Sequence, residues 1–105
     1  MAGPGHPPST HERRAHRRFP VLWSATLTAG STFDPHVLHC RIRNISIAGL
    51  HVLVERHLAV GSAVVLHIDR VGTFRGRVVW SEAERLGVAF DDSPEHVAEL
   101  IKDKV

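Results

Sequence analysis

The chain has one cysteine, no tyrosine, 6% aromatic residues and no long apolar run. Each scarcity removes a class of protein. Cys40 has no second cysteine to pair with, so no internal disulfide staples the fold, as suits a reducing compartment. Few aromatics argue against a single-strand nucleic-acid binder, which interleaves exposed rings with basic residues. No window approaches the roughly 18 apolar residues of a membrane span. Met1-Ala2-Gly3-Pro4-Gly5-His6-Pro7-Pro8 lacks the apolar stretch of a secretory signal, so a cytoplasmic location is expected. What is present is a 105-residue chain with 43% hydrophobic residues, the size of one domain with one core.

The formal net charge of +2 hides an uneven distribution. Residues 1–18 carry four arginines against one glutamate, whereas the remainder carries nine Lys+Arg against ten Asp+Glu. A near-neutral body with a basic arm points to one localised anionic partner rather than to general polyanion binding. Residues 1–11, rich in Pro, Gly and His, cannot bury a core and are expected to be a disordered tail.

From Phe19 the hydrophobic pattern has period two. Phe19, Val21, Trp23, Ala25 and Leu27 alternate with Leu22, Ser24, Thr26 and Thr28, which predicts a half-buried strand. After a turn at Gly30-Ser31, Leu38, Cys40 and Ile42 predict a second strand, and Leu50, Val52 and Val54 a third. Val64, Leu66 and Ile68 predict the fourth. Phe74, Gly76, Val78 and Trp80 predict the fifth, and Leu86, Val88 and Phe90 the sixth. Trp23 and Trp80 both fall on inward phases and read as core. Ser93 as N-cap, Pro94 in the first turn and the stripe Val97, Leu100, Ile101 predict a short closing helix over 93–104. Six short strands and one helix predict an all-β fold, a small six-stranded antiparallel barrel with a C-terminal helix. The barrel is expected over 19–92, preceded by an arm at 12–18.

Two segments carry chemistry. Glu12-Arg13-Arg14-Ala15-His16-Arg17-Arg18 sets guanidinium groups ahead of the first strand, where they can fork onto phosphates and stack on flat rings. Pro20 disfavours a long helix through the cluster, so an irregular, adaptable arm is expected. Asn44-Ile45-Ser46-Ile47-Ala48-Gly49 reads as a polar turn at a strand end, offering a hydrogen-bonding edge. A solvated basic arm and an ordinary tight turn are the plainer accounts of each segment taken alone.

Together, in this order and on an all-β pattern, the two segments resemble the PilZ domain family. That family is marked by Arg-x-x-x-Arg and Asp/Asn-x-Ser-x-x-Gly. The matching residues are Arg14 and Arg18, then Asn44, Ser46 and Gly49. Arg18-Phe19-Pro20-Val21 selects this frame over the lower-ranked pair Arg13 and Arg17. Leu86-Gly87-Val88-Ala89-Phe90 is similar to the family's last strand. The resemblance runs over roughly residues 12–92, the closing helix extends the expected domain to 12–105, and the resemblance implies binding of cyclic di-GMP, a bacterial second messenger, on the outside of the barrel. It implies that Arg14 and Arg18 clasp phosphates and stack on guanine, that Asn44 and Ser46 read a guanine edge, and that Gly49 permits close approach. A lone small domain is expected to act on another protein in trans or by self-association. Asn44 stands where many relatives have Asp, and exchanging a charge-assisted bond for a neutral one costs on the order of 1 kcal/mol.

No cofactor, metal or catalytic group is expected. His36 and His39 point to opposite faces of a strand, and no Cys/His pair has a closed zinc spacing. Asp34, Glu55, Asp69, Glu82, Glu84, Asp91 and Asp92 read as a solvated rim. Two alternatives to a nucleotide receptor stand beside it: an interaction adaptor on the same fold that binds no nucleotide, and a small-barrel nucleic-acid-binding module.

Overall fold

Buried Val64, Leu66 and Ile68 alternate with exposed neighbours, as do Phe74, Gly76 and Val78, and this period-two pattern gives the sheet one apolar face to close around. The computed structural model describes residues 17–30 and 33–105. Its strands are β1 (Phe19–Gly30), β2 (Pro35–Ile45), β3 (Gly49–Leu53), β4 (Ala63–Ile68), β5 (Gly72–Glu82) and β6 (Arg85–Phe90). They form a closed antiparallel barrel in the order β1-β2-β3-β6-β5-β4. The expected six-stranded barrel and closing helix are therefore both present. Closure leaves no open sheet edge to template aggregation.

Leu27, Ile42, Ile45, Leu50, Val52, Leu66, Ile68, Phe74, Val78 and Leu86 fill the interior. Each such side chain, fully buried, contributes about 1.5–3 kcal/mol relative to exposure. Phe74 stacks on Phe90 with ring centroids 5.1 Å apart. β2 starts ahead of the expected Leu38 because the β1–β2 ladder continues through Thr28↔Val37, Ala29↔His36 and Gly30↔Pro35. The closing helix, α1 (Pro94–Ile101), starts as its sequence dictates. Ser93 Oγ accepts from the His96 N–H at 3.1 Å, and Val97 and Ile101 are buried. Among the described residues no helix is long and apolar enough to cross a membrane.

Three β-bulges interrupt the ladders, and their placement matters more than their number. They lie between Pro20 and Trp23, between Ile42 and Asn44, and between Val78 and Trp80. All three border one row of cross-strand partners, Pro20↔Asn44↔His51↔Gly87↔Trp80, which runs over five of the six strands. A bulge adds a residue to one strand and re-aims the side chains beside it. One corner of an otherwise regular barrel is thus given an irregular outer surface.

Candidate functional site

Asn44 is the centre of that corner. It lies on the last stretch of β2, within the ladder rather than in the turn its sequence suggested. Arg18, immediately before β1, donates from Nε to Asn44 Oδ1 at 2.8 Å. The arm and the polar segment, 26 residues apart in sequence, therefore meet on one surface. The terminal nitrogens of the Arg18 fork take no partner among the described residues. Partial burial of the guanidinium lowers its pKa below the ordinary value, yet the group stays a cation at neutral pH. On its other side Asn44 Nδ2 lies 3.4 Å from His51 Nδ1.

The Ser46–Gly49 turn is built from within. Ser46 is fully buried, and its Oγ accepts from the N–H groups of Ala48 at 3.1 Å and Gly49 at 3.3 Å. The Ser46 N–H donates to the Gly49 carbonyl at 2.8 Å. The hydroxyl is thus committed to shaping the turn, while Asn44 presents the polar edge. Gly49 has no positive φ. It is required because a Cβ there would run into the Val88 carbonyl of β6.

Trp80 departs from its expected core position. The bulge after Val78 turns it outward, and it is 37% exposed over Gly87. A Cβ on Gly87 would collide with the indole, so that glycine is what admits the ring. Trp23, by contrast, packs against the core as expected. Trp80 and His51 pack in a T-shaped pair, with ring centroids 5.2 Å apart and planes inclined at 69°. Arg18, Gly49, Val79, Trp80, Gly87 and Ala89 border an open hollow of about 170 Å³. Arg43 and Arg85 stand close enough to act on the His51 charge, so the corner is electropositive.

Of the remaining candidates, Arg17 lies 5.2 Å over the Phe19 ring rather than at Asn44. Arg13 and Arg14 lie outside the described residues, as do the 1–11 tail and most of the 12–18 arm. A larger cavity, about 720 Å³, opens elsewhere, bordered by His39, Cys40, Arg41, Glu55, Asp69 and Glu84. Three carboxylates against one guanidinium make it a poor seat for an anion. Among the described residues no three His, Cys, Asp or Glu are grouped to hold a metal.

Comparison with known proteins bears on this geometry. The family model for the PilZ domain matches residues 12–105. The chain belongs to the PilZ domain family. Among solved structures, this PilZ chain is similar to "PilZ domain with c-di-GMP of YcgR from Escherichia coli", with a TM-score of 0.61 at 17% identity, covering 87% of this chain and 88% of that one. That likeness is one of fold. No curated protein matched the chain.

Two residues of the corner were missed by sequence reasoning. Trp80 was hidden because Phe74, Gly76, Val78 and Trp80 keep one apolar phase to the end. Only Gly87, a residue without a side chain on the facing strand, hinted at room for a ring. His51 was hidden because a histidine on the outward phase of a strand is unexceptional.

Proposed function

We propose that this PilZ domain is a non-enzymatic receptor for cyclic di-GMP, seated on the outer corner formed by Arg18, Asn44 and Trp80. The observation that carries the reading is the Arg18–Asn44 bond, which joins the arginine arm to the polar edge beside an exposed indole. A cyclic dinucleotide needs cations for two phosphates, acceptors for the guanine N–H edge, and a flat surface for the ring. Arg18 supplies a guanidinium fork, with Arg14 as its partner in the family pattern. Asn44 Oδ1 has a second lone pair for a guanine N–H. Trp80 offers an apolar platform on which a base can stack. Ser46 and Gly49 hold the turn that fixes Asn44, and Arg13 and Arg17 remain the lower-ranked arginine pair.

Closure of the arm over the ligand converts binding into an altered surface, which a partner protein reads. The test is calorimetric titration with cyclic di-GMP, with GMP and single-stranded DNA as controls. The receptor reading expects saturable binding of the cyclic dinucleotide alone, with a shallow salt dependence. Tighter binding of DNA with a steep salt slope selects the nucleic-acid module instead. Absence of binding to all three selects the adaptor.

A further inference from the structure

We infer that His51, in its neutral form, is a positioning residue that fixes the Asn44 amide with its oxygen toward the ligand, so that the site reads guanine and loosens in acid. The inference rests on the cyclic di-GMP reading above, but its first premise is independent of any ligand. It follows from counting donors and acceptors along one row of the barrel.

Arg18 has donors and no acceptor, so the group facing its Nε at 2.8 Å must be the Asn44 oxygen. The Asn44 nitrogen then faces His51 Nδ1 at 3.4 Å. A nitrogen that meets an NH₂ donor must offer a lone pair. His51 is therefore neutral with its proton on Nε2. Nε2 itself is buried and has no hydrogen-bond partner among the described residues. The imidazole is held by Asn44 at Nδ1 and by a T-shaped contact with Trp80, the ring that Gly87 admits. Arg18, Asn44, His51 and Trp80 thus form one chain of contacts, and only the histidine in it can change charge near neutrality.

Protonation of His51 places an N–H on Nδ1, opposite the Asn44 NH₂. Two donors then face each other. Rotating the amide would satisfy His51 but turn the NH₂ toward Arg18 and toward the N–H edge of guanine. Either way the acceptor that reads guanine is lost or loosened. The cations around the imidazole oppose its protonation: Arg18 ahead of β1, Arg43 on β2 and Arg85 on β6. From β5 comes Glu82, which lies 3.4 Å from Arg85. Burial, followed by Arg85, Arg43 and Arg18, holds the His51 pKa below its ordinary 6.5.

Replacing Asn44 by Asp removes the ambiguity, because a carboxylate presents only acceptors and welcomes an N–H on Nδ1. The sign of the pH effect should then invert. This gives His51 a role specific to a chain with asparagine at position 44.

The experiment has two arms. In the first, long-range ¹H–¹⁵N NMR of the ligand-free protein reads the His51 tautomer and the Asn44 side-chain amide between pH 7.5 and 5. An Nε2–H tautomer at neutral pH, with Asn44 NH₂ signals that move along the His51 titration, supports the inference. An Nδ1–H tautomer, or an Asn44 amide indifferent to that titration, overturns it. In the second, cyclic di-GMP affinity is measured over the same range. The phosphodiesters and guanines do not titrate there, and wild type should weaken about fivefold, the worth of one net hydrogen bond of about 1 kcal/mol. His51→Leu should weaken binding at pH 7.5 and flatten the pH profile. His51→Asn, which places an untitratable acceptor near the Nδ1 position, should retain more affinity than His51→Leu and also be flat. In the Asn44→Asp background the His51→Leu loss should shrink, a direct coupling of the two residues. Equal His51→Leu losses in both backgrounds, or an unchanged pH profile in His51→Asn, would sink the proposal. Should cyclic di-GMP fail to bind at all, the receptor reading fails, and the first arm still decides whether His51 orders Asn44.

Discussion

The hollow beside Trp80 and the larger cavity beside Cys40 belong to the same barrel, yet their surroundings carry opposite charge. The larger one is about 720 Å³ against about 170 Å³, and by volume alone it would be the first choice for a ligand. Its carboxylates Glu55, Asp69 and Glu84 oppose an anion, and burial pushes the Cys40 thiol up to about 11, leaving it protonated and unreactive at neutral pH. The smaller hollow has Arg18 on its border, Asn44 bonded to that arginine, and an indole. On the proposed reading, charge and hydrogen-bonding groups rather than volume single out the smaller hollow. The backbone agrees, since all three β-bulges border the row that carries the small hollow's polar groups.

Substitutions in the two concavities can break this contrast. Arg18→Ala removes a charged fork worth roughly 1.5–3 kcal/mol, so cyclic di-GMP affinity should fall at least about tenfold by calorimetry. The melting temperature should hardly move, because the Arg18 side chain is exposed. Arg41→Ala in the larger cavity should change affinity by less than about twofold. Trp80→Ala should cost about five- to tenfold, the low end of base–aromatic stacking. Indole emission should respond to ligand in a Trp23→Phe variant, where Trp80 is the remaining tryptophan. Asn44→Ala should weaken binding several-fold and Asn44→Asp should hold or tighten it at neutral pH. Indistinguishable affinities for these Asn44 variants would remove Asn44 from the site.

The smallest effect is on stability. The folded-state pKa of His51 lies below its unfolded value of about 6.5. Its contribution is thus fully present above that pH and is lost as pH falls through the folded value, where the unfolded chain takes up the proton first. Denaturant midpoints should decline with acid less steeply in His51→Asn than in wild type. A steeper decline in the variant would contradict the assigned direction.

The barrel was legible because alternation of apolar and polar residues is set by the same pleat that sets inside and outside. Leu27, Ile42, Leu66 and Val78 face inward as their phase required. The helix was legible from Ser93, Pro94 and Val97 for equally local reasons. The candidate corner was legible where chemistry was unusual in the sequence itself, at Arg18, Asn44 and Gly49. It was illegible where a bulge broke the phase, as at Trp80, or where a residue's role depends on a partner across the sheet. The role proposed for His51 depends on Asn44 beside it, and the turn-forming bonds of the Ser46 hydroxyl to two backbone N–H groups are visible only in the folded chain.

Chemical-shift mapping of the ¹⁵N-labelled domain during a cyclic di-GMP titration tests the central claim most directly. The largest perturbations should fall on Arg18, the Asn44 side-chain amide, Gly49 and the Trp80 indole N–H, leaving Ser24, His39, Glu55 and Asp69 unchanged. Perturbations centred on the latter group, with the Trp80 corner silent, would contradict it.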